Sequence, residues 1–448
     1  MNIKENFNPD NEVNFQNDLQ YIDMQQEDIF PTPLSSETEK PQIELLAPAG
    51  DLERLKMAIT YGADAVYLGG QVFGLRAAAK NFSVEDLEAG VAFAHEHNAK
   101  VYLTLNIIPH DEDLEGLPAY LETIKHIPID AFIVSDPGTF DLIQEMFPET
   151  HVHISTQANT TNTRTLKFWH RMGAQRVVVA RELSFNEIEN INENKPTDLE
   201  LEAFVHGAMC ISYSGRCLLS NYMIQRDANR GECAHPCRWK YSIVEEKRPG
   251  EYMPVYEDET GTYFFNSKDL CMVNHIPELV RAGITSLKIE GRMKTAHYVA
   301  TVVRVYRMAI DAYLQDPANW QPDPAWMEEL NKASHRPFTT GFYFGNPGPE
   351  EHIYEDPKQL RTYDFVAKVI SYDPTTGTAT VEQRNRFFDG DTLEIIGPHK
   401  ELRHFTVTDL KDADGQAIEN APHPQQVVSF KVPFEVAPND IIRKERSE

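Results

Sequence analysis

From residue 41 onward, short apolar runs rich in β-branched side chains alternate with stretches of helical period. The runs cover residues 43–47, 65–68, 101–105, 131–134, 152–155, 177–180, 199–205 and 286–289. Such runs, bounded by turn residues, read as strands buried on both faces, which is how parallel strands lie. Between them, residues 51–61, 83–97, 114–126, 139–147, 161–172 and 184–192 carry apolar positions at helical spacing. Ser83 and Ser184 stand just before two of these segments, each followed three residues later by an acid, Asp86 or Glu187. That is the pattern of a helix N-cap, in which the hydroxyl accepts from an otherwise unbonded backbone N–H. Eight strands alternating with helices over roughly 250 residues predict a closed (β/α)8 TIM-like barrel. No Gly-x-Gly-x-x-Gly follows the first run, which argues against an open dinucleotide-binding sheet.

Beyond the eighth run, residues 295–314 read as one long helix, and the Pro-rich passage 316–324 as a linker or detour. Residues 363–372, 378–383, 392–396, 405–410 and 427–432 are strand-like and separated by Gly- or Asp-rich turns. They predict a small C-terminal β-barrel. The expected organisation is an acidic tail (1–40), a barrel (41–315) with a cysteine-rich insertion after strand 7 (207–275), an extension (316–362) and a C-terminal domain (363–448).

A barrel places chemistry at the C-terminal ends of its strands. The polar residues expected there include Asn106, Asp136, Gln157, His206 and Glu290 as catalytic candidates, with Arg181 and Arg292 suited to clamping carboxylates. Each also has a plain structural explanation: Asp136 before Pro137 is a good turn former, and Asp51 a good helix cap. His151 and His153 share one strand face but stand near its N-terminal end, where a barrel is built for stability.

Composition narrows the class of partner. The 448-residue chain has a formal charge of −27, which taken alone argues against nucleic acid. Yet residues 1–40 hold nine acids and two lysines, so seven of those charges belong to a tail without a period, expected to be disordered. Between Cys210 and Lys240 five basic residues face two acids, a local excess of +3 that includes Arg216 and Arg238. Tyr213, Tyr222 and Trp239 are interleaved there, suited to stacking on an unstacked base. Lys288, Arg292 and Lys294 are expected to extend this patch. No run of about 18 apolar residues and no leader pattern occur, so a cytoplasmic protein with no membrane partner is expected.

Four of the five cysteines (Cys210, Cys217, Cys233, Cys237) fall within 28 positions, in what should be a loop at the catalytic face. Structural zinc prefers Cys-x2–4-Cys pairs, and only Cys233 and Cys237 have that spacing. All-thiolate ligation at irregular spacing also suits an iron–sulfur cluster, and spacing does not choose between cluster types. Cys271 reads as a residue in the first turns of a helix, capped by Ser267, and is held in reserve as a ligand.

Several segments resemble the peptidase U32 (collagenase-like) family: Glu202–Ser220 around the first two cysteines, Ser286-Leu-Lys-Ile-Glu-Gly-Arg-Met-Lys, Glu44-Leu-Leu-Ala-Pro-Ala-Gly-Asp, and Gly62-Ala-Asp-Ala-Val-Tyr-Leu-Gly-Gly. His335-Arg-Pro-Phe-Thr-Thr-Gly-Phe-Tyr is similar to a further family segment. The resemblance extends to the branch that forms 5-hydroxyuridine at the tRNA wobble position without molecular oxygen. It implies a 4Fe–4S cluster on Cys210, Cys217, Cys233 and Cys237, prephenate as co-substrate, the tRNA anticodon region as partner, and a redox or cluster-assembly partner. It also keeps two alternatives in view, a U32-type protease and a non-catalytic RNA-binding iron–sulfur protein. The residues disfavour proteolysis: His95-Glu-His97 lacks metalloprotease spacing, and Ser214 has His206 as its one nearby candidate base.

Overall fold

The computed structural model describes residues 42–71, 81–210, 212–238, 257–258, 261–262, 267–347, 359–398 and 401–446. The acidic segment 1–40, Trp239, Lys240, His399 and Lys400 lie outside these residues, as does the side chain of Arg238. Eight parallel strands form the barrel among the described residues: β1 (Glu44–Pro48), β2 (Ala65–Gly69), β3 (Lys100–Leu105), β4 (Ala131–Val134), β5 (His151–Ile154), β6 (Arg176–Val178), β7 (Glu200–Ala208) and β8 (Ser286–Ile289). β8 pairs in parallel with β1 (Glu44↔Ser286) and with β7 (Glu202↔Ser286), which closes the cylinder. The helices between strands start where local chemistry dictates. Arg54 N donates to Asp51 Oδ1 (2.9 Å), Asp86 N to Ser83 Oγ (3.1 Å), and Ser184 forms a capping box with Glu187.

Alternation along the strands divides two cores. Outward-facing apolar residues such as Leu45, Val66, Leu103, Phe132 and Leu287 pack beneath the helices. Leu46, Ala65, Tyr67, Tyr102, Ala131 and Ile133 fill the inside as a separate cluster. The rest of the interior is charged. Arg176 binds Glu44 (2.5 Å), Glu200 (2.6 Å) and Glu202 (3.3 Å), and Lys288 Nζ sits 2.6 Å from Glu202 Oε1. Tyr102 donates to Glu44 (2.6 Å) and Ser286 to both Glu44 and Glu202. Lys288 is 4% exposed, so it belongs to the barrel interior and not to a surface patch. His153 is enclosed with the same group, edge-on to Tyr102 at 4.7 Å, and burial holds its ring well below the usual imidazole range.

Cys271 departs from expectation. It ends a short strand, Asp269–Cys271, which runs antiparallel to the end of β7 (Cys271↔His206) and parallel to Phe338–Thr339. β7 is nine residues long, and its last turns of chain run past its barrel partners, leaving an edge that this strand covers. The long helix spans Ala296–Gln315.

The C-terminal unit is a seven-stranded antiparallel half-barrel. Tyr363–Asp373, Thr378–Gln383, Thr392–Ile396 and Val427–Lys431 coincide closely with the predicted runs. The run 405–410 splits into Arg403–Thr406 and Thr408–Lys411, because the first half pairs with Thr392–Ile396 and the second with Val427–Lys431. A strand not predicted, Ile441–Glu445, lies between Tyr363–Asp373 and Thr392–Ile396. Its Arg443 is fully buried, with Glu329 at 2.7 Å and Glu394 alongside, and Tyr61 Oη donates to the Ile396 carbonyl (3.1 Å). These bonds hold the half-barrel on the helical shell. No described helix is long and apolar enough to cross a membrane.

Candidate functional site

The C-terminal mouth of the barrel opens into a cavity of about 520 Å3. Its wall is assembled from strand ends, as the fold requires. β3 and β5 supply Thr104, Asn106, Ser155 and Gln157; Arg181 follows β6; Phe204 and Ala208 come from β7. Lys288 of β8 forms part of the deep wall, followed by Glu290, Arg292 and Lys294. The loop after β7 brings Cys210, Cys217, Cys233 and Cys237 to the same cavity.

The amides form one connected group. Asn106 Nδ2 donates to Ser155 Oγ (3.3 Å) and Gln157 Oε1 (3.2 Å), and Ser155 Oγ donates to Gln157 Oε1. Asn159 continues it by donating to the carbonyls of Gln157 (2.8 Å) and Ser214 (3.0 Å), tying the cysteine loop to the barrel. Gly215 allows this approach: its φ is +70° and a Cβ there would lie 3.2 Å from Gln157.

Cationic side chains dominate the polar wall. Among the described residues, Arg181, Arg226, Lys288, Arg292, Lys294 and Arg336 face one carboxylate, Glu290. Arg181 lies 3.8 Å over the Phe204 ring and donates to the Ala208 carbonyl (3.0 Å). Arg292, 5% exposed, donates to Thr104 Oγ1 (3.2 Å) and Asn81 Oδ1 (3.0 Å). Its guanidinium crosses the end of β2 so closely that a Cβ on Gly69 would sit 2.2 Å from Nη2. Lys294 Nζ donates to the Ser334 carbonyl (3.1 Å).

Of the candidates read from sequence, Asn106, Gln157, Glu290, Arg181, Arg292, Lys294 and the four loop cysteines therefore meet at one cavity. Asp136 does not line it; Thr139 N donates to its carboxylate (2.9 Å), so it caps the fourth barrel helix, Pro137–Met146. His206 also lies off the cavity, packed among Tyr298, Tyr306 and Phe338. Burial pushes its ring down to about 3, with Asp269 opposing and Lys294 and His335 adding to the shift. A ring so hard to protonate is a weak base, and it lies off the cavity wall that Ser214 lines. Arg216 is exposed and outside the cavity wall. Cys271 is buried, its sulfur 4.0 Å from that of Met327, and burial pushes its thiol up to about 11. One basic residue of the predicted patch, Arg230, is engaged elsewhere, with Asp113 (2.5 Å) and Glu112 (3.2 Å).

Arg336, Ser334 and Gln359 had no place in the predicted site. They arrive from the segment after the barrel, where the His335-Arg-Pro-Phe run was the one available signal. None of the described residues from 360 to 446 lines the cavity, so the half-barrel supports the site without forming it.

The donor set suits a thiophilic group: four cysteines on one wall, partly exposed or exposed, with His235 N donating to Cys233 Sγ (3.4 Å). Among the described residues no three His, Cys, Asp or Glu side chains stand close enough together to hold one metal ion. The thiols share a wall and not yet a common centre.

The model of peptidase family U32 matches residues 50–353, and that of the U32 C-terminal domain residues 361–443. The chain is similar to tRNA hydroxylation protein P1 of Bacillus subtilis (strain 168), 45% identical over 407 residues, spanning 91% of this chain and 95% of that protein. It is 38% identical over 445 residues to tRNA hydroxylation protein P of Escherichia coli (strain K12), spanning 88% and 95%. A protein named collagenase, from Porphyromonas gingivalis, is 34% identical over 409 residues, spanning 89% and 96%.

Proposed function

The chain belongs to peptidase family U32, and from that premise we propose that it is a tRNA-modifying enzyme that hydroxylates wobble uridine to 5-hydroxyuridine without molecular oxygen. The observation that carries this reading is one cavity lined by four thiols, a connected amide group and an excess of cations. A volume of about 520 Å3 is in the range for small-molecule sites, and it also admits an extruded base. A 4Fe–4S cluster held by Cys210, Cys217, Cys233 and Cys237 would supply electron transfer at the mouth. The chain's own residues do the rest. Asn106 and Gln157 offer amide donors and acceptors to the edge of uracil. Arg181 and Arg292 bind a small carboxylate, with prephenate as the co-substrate, and Glu290 takes a proton. Exposed Tyr213 and Tyr222 beside the cysteines offer stacking faces to the anticodon loop. A redox or cluster-assembly protein would act at the same mouth.

Nucleoside mass spectrometry of tRNA from a deletion strain tests the function. Loss of 5-hydroxyuridine derivatives, restored by the wild-type chain, is expected; an unchanged profile leaves the chain a non-catalytic binder and rejects the reading. In complementation, Arg181→Gln should raise the prephenate requirement roughly ten- to hundredfold, the range expected when a charge-assisted hydrogen bond is lost. Gly69→Ala is a second probe, since the added Cβ would meet the Arg292 guanidinium and not backbone. It should displace that guanidinium and weaken prephenate binding by about tenfold. Thermal stability should fall as well, because displacing the guanidinium breaks its bonds to Thr104 and Asn81. Unaltered prephenate binding in Gly69→Ala would show that Arg292 does not touch the acid.

The protease reading loses its one nucleophile–base pair with His206 enclosed away from Ser214.

A further inference from the structure

The outer wall of the barrel carries two neighbouring helices of opposite sign. The fifth barrel helix, Thr163–Met172, buries Leu166 and Trp169 against the strands. Its outer face exposes Arg164, Lys167, Phe168, Arg171 and Met172, the i, i+3, i+4, i+7, i+8 stripe of one helix side. The fourth, Pro137–Met146, lies beside it, with the Phe140 ring 5.8 Å from that of Trp169. It exposes Asp141 and Glu145, and Glu149 is exposed just past its end. Among the described residues, none of these six charged side chains has an ion-pair or hydrogen-bond partner within the chain. Phe168 and Met172 are 43% and 45% exposed, large apolar groups set in the cationic row. Arginine, methionine and aromatic side chains are the types that protein interfaces gather.

The two rows complement each other. Both helices follow parallel strands and run in the same direction. A twofold axis passing between them at right angles would lay the fifth helix of one copy antiparallel on the fourth helix of another. Arg164, Lys167 and Arg171 then meet Glu149, Glu145 and Asp141 in turn, since both rows are about 10–12 Å long at the helical rise. The same operation repeats the contact with the roles exchanged, and it covers Phe168 and Met172 on both copies. We propose that this face binds a second copy of the chain, as a reversible and salt-sensitive dimer. Helices of about 15 Å give each copy a patch of roughly a few hundred Å2, below the size of a permanent interface, so the dimer is reversible. RNA fits the row less well. Exposed acids border it on both sides, Asp141 and Glu145 on one helix and Glu187 and Glu193 on the sixth, Phe185–Asn194. Phosphates would be repelled by both borders, and a phosphate backbone gives Phe168 nothing apolar to pack on. The proposal goes beyond the reading of the cavity and does not depend on it.

Sedimentation velocity of the full chain, free of RNA, tests the proposal. Wild-type protein should pass from monomer to dimer across the micromolar range at about 50 mM salt, and return to monomer at about 0.5 M. One variant reverses the cationic row (Arg164→Glu, Lys167→Glu and Arg171→Glu together), and a second reverses the acidic row (Asp141→Lys, Glu145→Lys and Glu149→Lys together). Each alone should weaken self-association by about 100-fold or more, as three attractive pairs per contact become repulsive. Both should unfold near the wild-type temperature, because all six side chains are exposed. Mixed in equal amounts, the two reversed chains should pair with each other as a one-to-one heterodimer. Phe168→Ala should weaken the wild-type dimer about tenfold and leave its salt dependence unchanged. A wild-type chain that stays monomeric at about 100 μM in low salt overturns the proposal, as does a dimer that survives either reversal. Folded reversed chains that fail to pair when mixed overturn the antiparallel match. A monomeric wild-type chain whose tRNA affinity falls on reversal of the cationic row would give that row to RNA, and the proposal would fall.

Discussion

Serine in place of Cys210, Cys217, Cys233 or Cys237 is expected to abolish both bound iron and 5-hydroxyuridine formation. All four thiols line one wall of the cavity, and serine preserves size and hydrogen bonding while removing the soft donor that iron requires. Outer-shell changes at metal sites already cost 10- to 100-fold, so loss of a ligand should exceed about 100-fold in tRNA hydroxylation. Iron and sulfide should fall from about four each per chain to near zero, with the brown colour lost. Cys271→Ser is the internal control. Its thiol is buried against Met327 and kept protonated by burial, so the variant should hold its iron and its activity. Full iron content in any of the four loop variants would remove that cysteine from the ligand set, and zinc in place of iron in the wild-type chain would sink the cluster altogether.

The second large effect is on stability. Glu202 is fully buried between Lys288 at 2.6 Å and Arg176 at 3.3 Å, with Ser286 donating to it as well. Glu202→Ala leaves two buried cations short of a counter-charge, which should cost about 3–5 kcal/mol in denaturant unfolding. That is a large share of a domain's total stability of about 5–15 kcal/mol. Replacing Glu202 and Lys288 together by methionine removes both charges and should recover much of the loss. A double variant as unstable as the sum of its singles would show that the pair is not coupled. The network also carries a pH signature through Glu44. Burial alone would push that carboxyl up, but the Arg176 guanidinium, with hydrogen bonds from Arg176, Tyr102 and Ser286, more than reverses the shift. A carboxyl lowered in the folded state contributes stability that is complete above its unfolded value, about 4.3, and is lost as pH falls through its folded value. Acid unfolding should therefore soften in Glu44→Gln.

The sequence by itself determined the barrel. Alternation of apolar runs with capped helical segments is a local signal, since period and caps depend on residues within one turn or one pleat of each other. It located all eight strands to within three residues, and the cysteine loop at the functional face. The final strand, Ile441–Glu445, was illegible because its Arg-Lys-Glu end reads as solvent-exposed chain; Arg443 is buried only because Glu329 and Glu394, more than 40 positions away, meet it there. Cys271 was misread for a related reason, as its strand exists only against the overhang of β7.

Only the tertiary structure decided which polar residues share the cavity. Asp136 and Asn106 both stand at strand ends, yet one caps a helix and the other meets Gln157 across the barrel. Lys288 reads as part of a basic run, and strand alternation turns it inward to Glu202. Arg336 lies 44 residues beyond Arg292 and reaches the same wall through a strand pairing that no local pattern announces. Strand order and register are set by long-range pairing, and the cavity is a product of that register. The chemistry of the residues was visible along the chain; their company was not.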